Sequence, residues 1–231
     1  MPVALIKDYL QTQGLKLPAD DVRVAYVAAQ AVMNMGQAAV EQEVLWYDHD
    51  GVKLAEHISQ NPQNEALLKQ IFMALDSTYS RAKGVKSAVV YAHMPSHGET
   101  KNTENLMPQL VRLTHQGEVI EPKLAVDDDN SRIFLACRTA QSGWMNIAND
   151  IPYWLSLGEI HGERNEGGKS QISAPICMEN GTVLGVVHIE FAEPNQADEA
   201  AQAEWVALAL ALAEPLQTLL GIPNPEDEPH E

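Results

Sequence analysis

Within residues 144–154 the chain gathers Trp144, Asn146, Asp150, Tyr153 and Trp154. Aromatic walls with a few polar anchors are how small-ligand sites are built; the structural alternative is an aromatic mini-core that holds down a long loop. A second pair of polar groups stands on the apolar run VLGVVHIEF (183–191). Strand alternation sets Leu184, Val186, His188 and Glu190 on one face and Val183, Gly185, Val187, Ile189 and Phe191 on the other. A His and a Glu on an otherwise apolar face are costly unless partnered or wet. They therefore either line a pocket or lie at the exposed end of the strand.

Four further constellations have plainer readings. HGERNEGGKS (161–170) nearly spells a phosphate-binding P-loop, but the Gly required five residues before Gly168 is Glu163. The P-loop Ser must also open a helix whose amides meet the phosphate, whereas Ser170 opens a strand. A P-loop nucleotidase is excluded, leaving a Gly-hinged loop or a lid on which Arg164 or Lys169 meets an anionic ligand group. His93 and His97 stand four apart, yet Pro95 between them prevents the helix that would align two imidazoles on a metal. Asp127-Asp128-Asp129 lacks calcium-loop spacing and a following bidentate Glu, and reads as a solvated turn that caps the next helix. No metal site is expected, and the sequence names no cofactor. Cys137 and Cys177 are the two cysteines. They make no disulfide framework, and plain core packing is the ordinary role of such residues.

Composition bounds the partners. The 231 residues are 45% hydrophobic and 20% charged, with a formal net charge of -17 and a pI near 4.7. This is globular composition, with room for one elaborated domain. No cluster of Lys and Arg suits a nucleic-acid backbone, and the charge disfavours an anionic membrane surface. No apolar run approaches the roughly 20 residues that span a bilayer. Lys7 and Asp8 interrupt any signal-peptide core, so a cytoplasmic protein with reduced thiols is expected.

The elements that must position these residues follow from periodicity. Residues 1–16 read as a helix closed by Gly14, with Pro18 beyond it. Asp20 or Asp21 caps a second helix running to about Glu43, whose apolar face is Val24, Val27, Ala31 and Met35. Residues 43–58 divide between a small hairpin at Asp48-His49-Asp50-Gly51 and a helix that begins in LAEHI. Leu67, Leu68, Ile71, Leu75 and Tyr79 form the stripe of the next helix, which ends near Gly84. A strand is predicted over 86–94, a polar loop over 95–105, and a pairing of 106–114 with 118–120 across Gln116-Gly117. Ser131 begins a helix carrying Ile133, Phe134, Cys137 and Ala140 and stopped by Gly143; residues 144–169 show no strong period. Two apolar runs around Glu179-Asn180-Gly181 form a hairpin, in which Gly185 admits a neighbouring segment. The last helix, about 197–220, repeats Trp205, Leu208, Leu212, Leu216 and Leu219 close to a coiled-coil seam, bent by Pro215. The acidic tail 221–231 is expected to be disordered.

SQISAPICMENGTVLGVVHIEF (170–191) resembles the last hairpin of a GAF domain, KGVKSAVVYAHM (83–94) its first strand, and CRTAQSGWMNIANDI (137–151) its short helix and the segment beside its pocket. The resemblance covers about residues 64–220. It implies an α+β domain over 63–220: an antiparallel sheet with helices on one face and a ligand pocket on the other. Residues 1–62 form an N-terminal helical extension, and an amphipathic helix closes the domain at its C-terminal end. The function implied is non-enzymatic sensing of a small polar molecule of unknown identity, with no catalytic residue. Trp144, Asn146, Asp150, Tyr153, Trp154, Arg164, His188 and Glu190 are the candidate ligand contacts. Relatives dimerise through their terminal helices, so a homodimer acting on a protein effector is expected. Two other readings stand beside it. One is a thiol reductase resembling the free methionine-R-sulfoxide reductases, for which Cys137 lies near a family cysteine although 144–169 contains none. The other is an interaction scaffold with its pocket packed shut.

Overall fold

The computed structural model describes residues 2–35, 39–95 and 107–223, and places helices on both faces of one antiparallel sheet. In chain order the elements are α1 (Pro2–Thr12), α2 (Ala19–Asn34), α3 (Gln42–Leu45), β1 (Asp48–His49), β2 (Val52–Lys53), α4 (Pro62–Arg81), β3 (Val85–Met94), β4 (Gln109–Gly117) and β5 (Lys123–Ala125). There follow α5 (Asn130–Ile133), α6 (Leu135–Ser142), β6 (Asn146–Ala148), α7 (Ile151–Leu157), β7 (Ser170–Cys177), β8 (Val183–Phe191), α8 (Glu199–Ala211) and α9 (Ala213–Leu219). The main sheet has the order β5-β4-β3-β8-β7-β6, and β1 and β2 form the small hairpin on Asp50-Gly51.

The central strands β3 and β8 are covered on both faces, which is why Ala88 to Ala92 read as one unbroken apolar run. Their fit depends on Gly185: a Cβ there would lie 2.1 Å from the Tyr91 carbonyl oxygen and 2.7 Å from Leu216. On the first face α4, α8 and α9 pack against Ala88, Val90, Ile172, Ala174, Val187 and Ile189. α8 is buried all round from Trp205 to Leu212, because α1 and α2 cover its outer side with Ile6, Leu10, Val22 and Ala25. Residues before 63 thus share the core: Ala29, Met33, Leu45 and Leu54 belong to the same cluster as the sheet. On the second face α6 covers Val89, Tyr91, Leu110 and Val186 with Ala136, Cys137 and Ala140.

Several expectations are corrected. α2 buries Val22, Ala25, Ala29 and Met33, and leaves Val24 69%, Val27 55% and Met35 75% exposed. Both stripes are apolar, and the one with small residues wins because Ala25 and Ala29 let α2 approach Ala203 and Ala207 of α8. Asp20 and Asp21 lie in the first turn of α2 and do not cap it, and α2 ends at Asn34, with α3 starting only at Gln42. β4 pairs with β5, not with 118–120. The helix expected from Ser131 breaks at Phe134 (φ -111°, ψ 115°) into α5 and α6. Residues 144–169 hold β6 and α7, the latter started by Pro152 and the Asp150 cap. The seam of the last helix is intramolecular: Trp205, Leu208, Leu212, Leu216 and Leu219 all lie in the main core. The chain bends between α8 and α9, where Pro215 has no amide to give. Leu184 faces the first core, not the second, because the ladder shifts register between Ile176 and Cys177. Residues 96–105 of the polar loop, His97 and tail residues 224–231 lie outside the described residues.

Candidate functional site

The ladder register gathers polar side chains beneath α6. On the second face of β8, His188 stands opposite Ser173 of β7, and Glu190 opposite Gln171 of β7 and Ser87 of β3. The turn of 3-10 helix at Glu163–Asn165 carries Arg164 onto this row. Asn165 pins that turn by donating to the carbonyls of Ile133 (2.8 Å) and His161 (2.7 Å).

Arg164 forms the centre of the site. Its Nε donates to Glu121 Oε1 at 2.6 Å, and its terminal nitrogen reaches Glu121 Oε2 at 3.1 Å and Glu190 Oε1 at 2.6 Å. Its guanidinium carbon lies 5.2 Å from the centre of the Phe134 ring. The Tyr91 hydroxyl donates to the Glu121 carbonyl at 2.8 Å, and His188 Nε2 lies 3.6 Å from Glu190 Oε1. Burial opposes ionisation of Glu190, yet His188 and the Arg164 charge outweigh it and hold the carboxyl well below the usual carboxylate range. Arg164 is likewise desolvated, but its bonds to Glu121 and Glu190 raise its pKa and keep it charged. Beside this paired cluster, Ser173 is 0% and His188 3% exposed, and neither Ser173 Oγ nor His188 Nδ1 has a hydrogen-bond partner among the described residues.

Of the residues singled out from sequence, the fold brings together Arg164, His188 and Glu190. Asn146 of β6 stands opposite Ser173 at the edge of that row, and the other four lie outside it. Trp144 and Tyr153 are 55% and 57% exposed. Asp150 accepts from the Tyr153 amide at 2.9 Å as the α7 cap. Asn146 donates to Thr139 Oγ1 and the Trp144 carbonyl, both at 2.9 Å. Trp154 packs on a small cluster of Leu135, Ala148, Ile151 and Ile160, with Arg138 5.8 Å from its ring. Lys169 is exposed. Sequence reasoning missed Ser173, Gln171 and Glu121. The first two were readable, since they alternate with Ile172, Ala174 and Ile176 as His188 alternates with its neighbours; Glu121 sits in a connection and carried no signal.

Cys137 is wholly buried, with Sγ 3.4 Å from the Ala125 carbonyl. Burial, reinforced by Asp127 and Glu121, pushes its thiol up to about 12, and burial pushes Cys177 up to about 11. Asp127 accepts from the amide (2.7 Å) and side chain (3.0 Å) of Asn130, so the acidic run is a capping turn. Among the described residues no three His, Cys, Asp or Glu are grouped to hold a metal ion, and no helix is long and apolar enough to cross a membrane.

A six-stranded antiparallel sheet flanked by helices is consistent with the GAF fold. Solved structures bear this out. A putative GAF sensor protein from Burkholderia vietnamiensis matches with a TM-score of 0.57 at 13% identity, covering 88% of this chain and 98% of that one. The GAF domain of an Acinetobacter phosphoenolpyruvate-protein phosphotransferase matches with 0.53 at 13% identity, covering 87% and 95%. The type II free methionine-R-sulfoxide reductase of Thermoplasma acidophilum matches with 0.53 at 13% identity, covering 68% and 96%. No family model and no curated protein matches the sequence. The chain has the GAF fold.

Proposed function

We propose that this chain is a regulatory module that senses a small polar molecule on the second face of its sheet, without catalysing a reaction. The observation that carries this reading is the pair Ser173 Oγ and His188 Nδ1, buried side by side without partners. An unmet buried polar group costs about 1–3 kcal/mol. A ligand that donates to one and accepts from the other offsets that cost, while the Arg164 cluster fixes its orientation. Thiols pushed up to about 12 and 11 hold little thiolate at neutral pH, which favours binding over thiol chemistry.

The signal has a path. Gln13, in the turn after α1, donates to the Gly143 carbonyl at 2.9 Å and accepts from the Met145 amide at 2.6 Å, as a strand would. This clasp joins the segment beside the site to the N-terminal helices. Their exposed stripe of Val24, Val27, Ala31 and Met35 is the surface proposed for a second copy of the chain, since apolar faces pair at low electrostatic cost on a protein carrying -17. Native mass spectrometry of the full chain tests both points. A retained small molecule that is lost from a folded Ser173→Ala variant supports the reading; an unliganded spectrum with no ligand-induced rise in melting temperature across a metabolite panel overturns it. A mass halved in Val27→Asp supports the stripe, and an unchanged mass removes it.

A further inference from the structure

A second buried guanidinium lies far from Arg164 in chemical surroundings. α3 and the β1–β2 hairpin stand beside β4 and leave a cleft of about 500 Å³, lined by Trp46, Tyr47, His49, Arg112, His115 and Val119 among others. Arg112 is 2% exposed. One terminal nitrogen donates to the Ile120 carbonyl, and the guanidinium carbon lies 4.6 Å from the centre of the Tyr47 ring. Among the described residues its Nε has no hydrogen-bond partner and no carboxylate comes within 4.0 Å of it. A buried charge without a counter-ion is costly. Its neighbours sharpen the point. Burial lowers the pKa of His115, and Arg112 and His49 lower it further.

We infer that this cleft binds a small monocarboxylate with a planar apolar body, the carboxylate directed at Arg112 and the body resting on Trp46 and Val119. Each part of the class follows from the lining. One guanidinium matches one carboxylate, in the two-pronged geometry that arginine favours. Glu43 and Asp48 line the same cleft from exposed positions and repel a dianion or phosphate. The aromatic and apolar walls leave little for a purely polar ligand to bond. Tyr47 covers the guanidinium, with its hydroxyl donating to the Arg112 carbonyl at 2.7 Å, and is the side chain that shifts when the carboxylate enters. The cleft lining shares no residue with the Arg164 cluster, so separate substitutions test the two sites.

The test titrates the full chain with 1-naphthoate and, separately, with neutral 1-naphthalenemethanol, following the His115 and His49 imidazole signals by NMR. Naphthoate is expected to bind saturably and raise the His115 pKa, since an anion beside the ring favours imidazolium. The alcohol is expected to bind about tenfold more weakly, the worth of one charged hydrogen-bonding contact. Arg112→Met should weaken naphthoate about tenfold, and Trp46→Ala about fivefold through lost stacking. Equal affinity for acid and alcohol overturns the proposal, as does saturation that leaves His115 unmoved. If Arg112→Met does not fold, the acid–alcohol comparison on the wild type and Trp46→Ala decides alone.

Discussion

Arg164 and Arg112 are both withdrawn from water on the same sheet, and they are treated in opposite ways. Arg164 is held by two carboxylates from separate parts of the chain, Glu121 and Glu190, at 2.6 Å each. Arg112 has a carbonyl, an aromatic ring and no acid. In the first arrangement every charge has a partner, and the 3-10 turn is fastened to the sheet. The second is left incomplete by folding, and incompleteness at a cleft is what a ligand corrects. The lesson is that a buried charge indicates function by what it lacks, not by being buried.

Breaking the paired cluster should have the largest effect. Arg164→Met strands Glu121 and Glu190, and a loss of about 3–5 kcal/mol in urea unfolding at pH 7 is expected. A loss no larger than that of Arg112→Met would erase the contrast. Arg112→Met removes a cation–π contact and one hydrogen bond but also an uncompensated charge, so about 1 kcal/mol or less is expected by the same measurement.

The paired cluster also has a pH signature. The folded pKa of Glu190 is depressed, so its stabilisation is present above its unfolded pKa of about 4.3 and is lost as pH falls below that value. Melting temperatures recorded from pH 6 downward should therefore fall less steeply in Glu190→Gln than in the wild type; parallel curves would show that the carboxyl is not held charged. The smallest effect is expected outside both regions. Trp144→Ala, at an exposed aromatic, should change stability by no more than about 0.5 kcal/mol, and a large loss would bring residue 144 back into the site.

Much of the layout was legible. The hairpin of β7 and β8, β3 and the α4 stripe rest on alternation or 3.6 periodicity, which burial enforces, and the GAF resemblance rests on the stretches 83–94, 137–151 and 170–191. The rest failed for identifiable reasons. α2 carries two apolar stripes, and only the partner α8 decides between them. The seam on the last helix had the spacing of a dimer interface, but the same spacing serves a helix enclosed within its own chain. At the site, His188 and Glu190 were visible because they interrupt an apolar strand. Glu121 was not, because an acid in a connection looks like any solvated residue until the fold sets Arg164 upon it. Arg112 was missed for a related reason: a guanidinium on a strand reads as an exposed position, and its burial depends on α3 and a hairpin some sixty residues earlier, one of whose residues, Tyr47, is separated from it by 65 positions.

The Tyr9 hydroxyl donates to the Pro175 carbonyl across 166 residues, and α8 takes its place only between α2 and a sheet formed by intervening chain. Contacts this distant in sequence slow the search for the native state. Until α1 and α2 arrive, a helix that is apolar on every side has one face uncovered, and such a surface invites association between incompletely folded chains. Refolding from denaturant should accordingly give a yield that falls as protein concentration rises, with dilution and low temperature restoring it.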